Sequence, residues 1–543
     1  ERFTSRFSGN TIELCPVGAL LSRSYRFRGR PWDLLTQKSI CTECANGCNI
    51  KLDHRIGKVV RVNARLNEAV NEEWTCDRGK FGMEVLIRED RLDTPLIRRG
   101  DRFVTASWDD ALDLAAKALG EAGEQAAFVG GTRSANEDLY VIQRLYRGIL
   151  GSYHLDHRLG PSFERIYAGA PKSVRQPMPP EALTDLEQLS VFVSFGADLS
   201  WEQPMAYLRL RKAWKRGQCR IVSVAAKGSP DDDLHASLRS IASAVVRHDP
   251  GCEVETAWLL LREVIAAAGS DPAVSEDIRR QLAGLTVTPE TVGCSAEEIA
   301  RAAAVIAGDT SGSEDLQSAS RLAIWIGLEG VRSQGFKQIL DALGGAAETS
   351  RCDGQVSVPA TEVNEQGARD MGILPYVIPG YRSADPVGLN TAEILSEVST
   401  GRIRALWVSG MDLAGRFSDP HSAIKALEAC PFLMVTDTSL TQTARMADIV
   451  LPVTTVAERN GTFTNVEGRV QRFWKAYDPP AGVRQEWRIA MQLAARLGRP
   501  MHYASSREIL ADITENVRLY RGCGPDRLGD EGVRWFTEEI ADR

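Results

Sequence analysis

The sequence predicts an α/β chain in which a doubly wound, parallel-sheet region follows a small cysteine-rich domain. Two observations carry this. From about residue 94 to 480, apolar runs of strand length alternate with helix-like stretches, and each run ends in a small-residue turn. Of eleven cysteines, five fall in the first 76 residues: Cys15, Cys41, Cys44, Cys48 and Cys76. A length of 543 residues, at about 150 per domain, allows three or four domains.

The elements follow in order. Ser107-Trp-Asp-Asp110 opens a helix with a serine cap, and Leu112, Ala115, Ala116 and Leu119 line one face at helical spacing. Ala126–Val129 then ends at Gly130-Gly131. The same strand-then-turn pattern recurs at Leu189–Phe195, Arg220–Val224, Leu322–Ile326, Ile403–Val408 and Leu433–Val435. Such units build a parallel sheet whose strand carboxyl ends carry the ligand-facing loops. No strict GxGxxG occurs, so an NAD fingerprint is not expected. Gly308–Glu314 reads as a surface loop and Arg351–Ala368 as an irregular span; after Pro479-Pro480, Trp487, Ile489, Ala490, Leu493 and Leu497 predict a further helix. The expected domains are 1–37, 38–94, 95–480 (two interleaved subdomains) and a helical segment 481–543.

Composition narrows the classes. Hydrophobic residues at 43% and charged residues at 25% are ordinary globular values. No run approaches a membrane span; Ile241–Val246 and Ile449–Val453 are of core-strand length. A net charge of −7 gives no reason to expect nucleic acid. The chain begins with Glu1 and shows no signal-peptide core, so it reads as processed or as a fragment. An odd, sparse cysteine set argues against a disulfide scaffold. Cys219, Cys252, Cys294, Cys352, Cys430 and Cys523 are scattered singly and read as small buried hydrophobes.

The strongest chemical signal is Cys41-Thr-Glu-Cys44-Ala-Asn-Gly-Cys48 followed at a distance by Cys76. Three thiolates in one tight loop can wrap three corners of a cubane, with the fourth brought by a later turn, and Gly47 relieves crowding where the loop curls. Zinc is the structural alternative, although zinc sites generally pair two short knuckles; the spacing favours [4Fe–4S]. Four thiolates on a 2+ cubane leave a net charge of −2, which is costly to bury alone. Lys51, Arg55, Lys58, Arg61, Arg65, Arg78, Lys80, Arg88 and Arg91 surround the motif. They are either a solvated basic face or its compensation, with Arg78 and Lys80 the best placed to tune a cluster. Cys15-Pro16 reads as the last ligand of a ferredoxin-type cluster whose other ligands are absent from this chain.

Cys15-Pro-Val-Gly-Ala-Leu20, Arg30-Pro31-Trp32, the four-cysteine motif ending Trp74-Thr-Cys76-Asp-Arg-Gly-Lys-Phe-Gly82, Ala447-Asp-Ile-Val-Leu-Pro452, Glu458-Arg-Asn-Gly-Thr462 and Asn465-Val-Glu-Gly-Arg469 together resemble a known family. It is the large iron–sulfur subunit of complex I, NADH:quinone oxidoreductase, within the molybdopterin oxidoreductase superfamily. The resemblance implies that Cys41, Cys44, Cys48 and Cys76 hold a [4Fe–4S] cluster lying off the main electron wire. It implies that Cys15 completes a second [4Fe–4S] cluster on that wire, and that a [2Fe–2S] cluster belongs to an N-terminal region this sequence lacks. It further implies a bacterial, peripheral subunit on the cytoplasmic side of the inner membrane. Its partners would be the flavin/NADH subunit and the quinone-side iron–sulfur subunits, in a proton-translocating enzyme.

The departures from that superfamily bear on function. Where catalytic members bind molybdenum, the stretches here read Thr132-Arg-Ser-Ala-Asn-Glu-Asp138 and Asp156-His-Arg-Leu-Gly160, with no thiol. Ser134 is the one hydroxyl worth naming, and a helix cap is its expected task. Val222-Ser-Val-Ala-Ala-Lys-Gly228 replaces the usual pterin contact, and no pterin-binding barrel is read after residue 480. A fold without molybdenum or pterin is therefore expected, with Asn465–Arg469 holding the domain together. His154, His157, His235, His248 and His421 are read as surface or satisfied core residues, and no hydrolase constellation is visible. The leading expectation is an electron-transfer and scaffold subunit that itself binds neither NADH nor quinone. A catalytic molybdenum or tungsten subunit, such as an NAD-linked formate dehydrogenase, is the enzymatic alternative. A structural subunit holding zinc is the non-redox one.

Overall fold

The structure, a computed structural model, describes residues 5–82, 86, 90–158, 170–174, 181–229, 238–269, 274–308 and 320–535. Arg88, His235, Leu159, Gly160 and the 309–314 part of the expected surface loop lie outside the described residues. The chain divides into two compact units, Glu1–Ser8 with Ser162–Thr361, and Gly9–Pro161 with Glu362–Arg543.

The second unit begins with an antiparallel sheet of β1 (Leu35–Ile40), β2 (Asn49–Arg55) and β3 (Lys58–Ala64). Its register pairs Ile40 with Asn49, so the eight residues Cys41 to Cys48 form the connecting loop. The larger sheet of this unit is built from β4 (Leu96–Arg99), β5 (Arg102–Thr105), β6 (Ala126–Gly130), β7 (Leu155–Asp156), β15 (Ala405–Ser409), β16 (Leu433–Asp437) and β17 (Ile449–Pro452). Its strands lie in the order β5-β4-β17-β16-β15-β6-β7. The five from β7 to β17 are parallel, and β4 adds antiparallel at the far side. Completely buried apolar strands are what a parallel sheet covered on both faces requires. The helix Trp108–Ala122 starts as its sequence dictates, with the Ser107 hydroxyl accepting the Asp110 N–H at 3.1 Å. Leu112, Ala115, Ala116 and Leu119 are its buried face. A short hairpin, β13 (Val377–Ile378) and β14 (Arg382–Ser383), and an antiparallel sheet of β18 (Gly461–Thr464), β19 (Arg469–Phe473) and β20 (Val533–Arg534) complete the unit.

The first unit holds a five-stranded parallel sheet. Its strands are β8 (Val191–Phe195), β9 (Arg220–Ala226), β10 (Ala244–His248), β11 (Arg321–Ile326) and β12 (Asp353–Ser357), in the order β10-β9-β8-β11-β12. The order reverses between β8 and β11, the usual ligand crevice of an open α/β sheet. Here the turns after those strands bond directly to each other. Gly327 N–H donates to Phe195 O at 2.9 Å and Glu329 N–H to Gly196 O at 3.0 Å. A Cβ on Gly327 would lie 2.3 Å from that of Ala197, so glycine is what lets the two turns close.

Two expectations need correction. The span Arg351–Ala368 is not irregular throughout, since it contains β12 and the start of the helix Glu365–Asp370. Asp-Gly-Gln-Val-Ser carries no apolar run, and pairing with β11 is what makes it a strand. The segment after 480 is not helical throughout, since beside the helices Glu486–Arg496 and Ser506–Asn516 it contains β20, which joins β19.

Candidate metal centre

The hairpin loop between β1 and β2 is closed by the Cys41 N–H donating to Cys48 O at 2.9 Å. Cys41, Cys44 and Cys48 are each no more than 5% exposed, as is Cys76. Cys76 caps the five-residue helix Asp77–Phe81, with its sulfur accepting the Gly79 N–H at 3.4 Å. Gly79 marks where the two pieces meet. A Cβ there would lie 3.1 Å from Cys41 Sγ and 3.8 Å from Cys76 Sγ.

Electrostatics describe the same group. Burial, followed by the charges of Cys76 and Cys44, pushes the Cys41 thiol well above its usual range. Burial and the other three sulfurs do the same to Cys48. Cys76 is pushed up to about 11, by burial first and Cys44 next, against the opposing pull of the Gly79 N–H and Arg78. Buried thiols held up in this way, as Cys41, Cys48 and Cys76 are, will ionise together only around a centre of multiple positive charge. The donor set therefore fits a metal or metal cluster.

Of the surrounding basic residues, Arg78 reaches the sulfurs. Burial disfavours its cation, but Cys44, which it hydrogen-bonds, and then Cys76 and Cys41 outweigh that and hold its pKa above the ordinary arginine value. Lys80 is buried and pairs with Glu13, and burial pulls its pKa down to about 8. Lys51, Arg55 and Lys58 are exposed, Arg61 pairs with Asp53, Arg65 donates to Asp530 O and Arg91 pairs with Glu458. Most of the basic set is thus a solvated or separately paired face.

Cys15 is not part of the four-sulfur group. It follows the helix Asn10–Leu14, and the backbone N–H groups of Leu20 and Ala19 lower its pKa from the free-thiol value. Val17, Phe27 and Trp32, near it in sequence, are 83%, 91% and 80% exposed.

The turn Asn465–Arg469 packs on the cysteine loop. Val466 N–H donates to Ala45 O at 2.7 Å, Asn465 Nδ2 to Asn46 O at 3.2 Å, and Gln471 Nε2 to Gly47 O at 2.9 Å. Sequence reasoning gave this turn a holding role without naming the partner, and it overlooked Gln471. Two segments some 400 residues apart carry no sequence signal of their contact.

Ser134 does not cap the following helix. Asp138 accepts the Ala135 N–H at 2.9 Å in that place, and the Ser134 hydroxyl bonds the buried Glu486. The stretch to Asp138 is instead tied into a buried polar network. Arg459 pairs with Asp138 at 2.7 Å, and Glu137 accepts the Thr462 N–H at 2.9 Å. Among the histidines, His154 Nδ1 accepts the Leu389 N–H and His157 Nδ1 bonds Ile373 O at 2.6 Å, while His421 is exposed.

Residues 91–496 match the family model described as molybdopterin oxidoreductase. The chain belongs to the molybdopterin oxidoreductase family. Residues 36–84 match a second model, described as NADH-ubiquinone oxidoreductase NDSU1/NuoG-like, 4Fe-4S domain. An NADH-quinone oxidoreductase subunit of Streptomyces coelicolor is 32% identical over 88% of this chain and 55% of its own length. The chain thus spans about half of that relative. F420-dependent formate dehydrogenase 2 subunit alpha of Methanococcus maripaludis is 28% identical over 92% of this chain and 76% of its own length. Acetylene hydratase from Pelobacter acetylenicus shares the fold, with a TM-score of 0.66 and 15% identity over 87% of this chain and 71% of that one. The family's α/β fold, preceded by a 4Fe–4S domain, is what the sequence predicted.

Proposed function

We propose that this molybdopterin oxidoreductase family member is an electron-transfer and scaffold part of an NADH:quinone oxidoreductase, holding a [4Fe–4S] cluster on Cys41, Cys44, Cys48 and Cys76. Four buried cysteines, with the sulfurs of Cys41 and Cys76 brought together over the side-chain-free Gly79, are the observation that carries this reading. A [4Fe–4S] cluster supplies reversible one-electron transfer. The chain's residues contribute thiolates, burial and the facing cation of Arg78. Cys15, with its thiolate favoured by backbone N–H groups, is proposed as the fourth ligand of a second cluster completed outside this sequence. The flavin/NADH subunit and the quinone-side iron–sulfur subunits are the proposed partners, on the cytoplasmic side of a bacterial inner membrane. Among the described residues no helix is long and apolar enough to cross a membrane.

We also propose that the α/β region works without molybdenum or pterin and that this chain holds no NADH or quinone site. The Thr132–Asp138 stretch offers no thiol, and its carboxylates are engaged by Arg459 and Thr462. The second reading, a catalytic molybdenum or tungsten subunit, is favoured by the likeness to the Methanococcus formate dehydrogenase subunit.

Metal and sulfide analysis with low-temperature EPR, on anaerobically purified chain reduced by dithionite, separates the readings. About four irons with labile sulfide and a reduced-cubane signal lost in Cys76→Ser are expected. Stoichiometric molybdenum or tungsten with pterin would establish the second reading. One zinc without iron would overturn both.

A further inference from the structure

We propose that His248, Glu253 and Glu329 form a binding site for a divalent first-row transition cation of the zinc class, at the carboxyl edge of the parallel sheet in the first unit. One ligand atom from each lies within 4.8 Å of the other two. His248 ends β10, Glu253 stands in the first turn of the helix Glu253–Ala268, and Glu329 follows β11. β10 and β11 are not neighbours in the sheet. Glu329 reaches back over the strand ends, where its Oε1 accepts the Ala226 N–H at 2.8 Å.

The imidazole decides between a ligand site and a chance cluster. His248 is fully buried, and its Nδ1 lies 3.0 Å from Asp249 O. A carbonyl cannot donate, so Nδ1 carries the hydrogen, and in neutral imidazole the lone pair then sits on Nε2. Nε2 makes no hydrogen bond and faces Glu329 Oε1 at 3.4 Å. A lone pair facing a carboxylate is repulsive unless a proton or a cation lies between them. A charge-assisted N–H···O bond closes to about 2.7–2.9 Å. Two ligand atoms each ~2.1 Å from a tetrahedral zinc stand ~3.4 Å apart, which is the separation seen.

Charge and access agree. With two carboxylates against one imidazole, even a protonated His248 leaves a net negative group. Lys227, the neighbouring cation, is engaged with Asp249 Oδ1 at 2.8 Å and Gly293 O at 2.7 Å. The Glu253 carboxylate is fixed by the Gly251 N–H at 3.0 Å. The Glu329 side chain is 25% exposed, which gives an ion its path. An imidazole ligand favours zinc-like ions over calcium or magnesium. Bound there, the ion would clip together the ends of β10 and β11 and the start of the Glu253–Ala268 helix.

The test uses the full chain, purified anaerobically, treated with chelator and titrated with Co2+. Thiolate ligation adds a strong charge-transfer absorption that an imidazole–carboxylate site lacks. The expected result is one equivalent of Co2+ giving weak d–d bands without that absorption, and displaced by Zn2+. Glu329→Gln and Glu253→Gln, each preserving shape and a hydrogen-bond acceptor, should weaken binding at least about tenfold with circular dichroism unchanged. Failure of the wild type to bind one equivalent would overturn the proposal, leaving His248 a protonated ion-pair partner. So would sulfur charge transfer on that equivalent, or unchanged affinity in both glutamine variants.

Discussion

Gly47 and Gly57 offer a matched pair for measuring what the cysteine loop owes to the distant turn packed on it. Both belong to the connections of the β1–β3 sheet, with φ of +66° and +67°. Replacing either by alanine places a Cβ in the left-handed region, at about 1–2 kcal/mol. At Gly57 nothing lies within 4 Å of the new atom. At Gly47 it would lie 2.4 Å from Gln471 Oε1 and 2.8 Å from Asn465 Cβ. Gln471 must then move, giving up Nε2 bonds to Gly47 O at 2.9 Å and Asn49 Oδ1 at 2.7 Å. Two buried hydrogen bonds at about 1–1.5 kcal/mol each put Gly47→Ala at roughly 3–5 kcal/mol. Urea unfolding followed by loss of the cluster's visible absorbance reads the difference. At a slope of ~3 kcal/mol per M, the Gly47→Ala midpoint should lie about 0.7–1 M below that of Gly57→Ala. Equal midpoints would refute the claim that Gln471 and Asn465 hold the loop.

Three further outcomes are expected. Cys44→Ala should abolish the reduced-cubane EPR signal, because a buried site with three thiolates leaves one iron without its ligand; an unchanged signal would remove Cys44 from the set. Arg78→Gln should lower the cluster's midpoint potential in a redox-poised EPR titration, since the lost cation had favoured the added electron. A charge ~6 Å away at an effective dielectric of 20 is worth ~3 kcal/mol, and solvent reduces this to roughly 50–100 mV. No shift, or an upward one, would remove Arg78 as the compensating charge. Glu137, fully buried, has its pKa raised to about 7 by burial, against the pull of the Thr462 N–H. The unfolded chain ionises it near pH 4.5, so the stability of the folded form is fully present below that value and is lost as pH rises towards 7. Glu137→Gln should therefore gain about 3 kcal/mol on wild type between pH 4.5 and 8, read from urea melts at several pH values. A pH-independent difference would show that the carboxyl ionises freely.

How much could be read beforehand depended on the range of the interaction involved. Apolar runs such as Ala126–Gly130 and Leu433–Asp437 declare themselves because a buried parallel strand needs only its own hydrophobicity. The Ser107 cap is legible because donor and acceptor are three residues apart. The motif Cys41, Cys44, Cys48 is legible for the same reason, since one loop sets the spacing of its thiols. By itself the sequence determined the α/β class, the cysteine motif and the missing thiol at Thr132–Asp138. Only the tertiary structure decided which basic residue faces the sulfurs. Arg78 follows Cys76 on the same helix, whereas Lys51 and Arg55 alternate to the outer face of β2. It also turned Ser134 from a cap into a partner of Glu486, 352 positions away by number. It gave Gln471 its hold on Gly47 and brought His248 up to Glu329. For Ser134 and Gln471 the deciding term is the cost of leaving a buried polar group unpaired, and the group that meets it is remote in the chain.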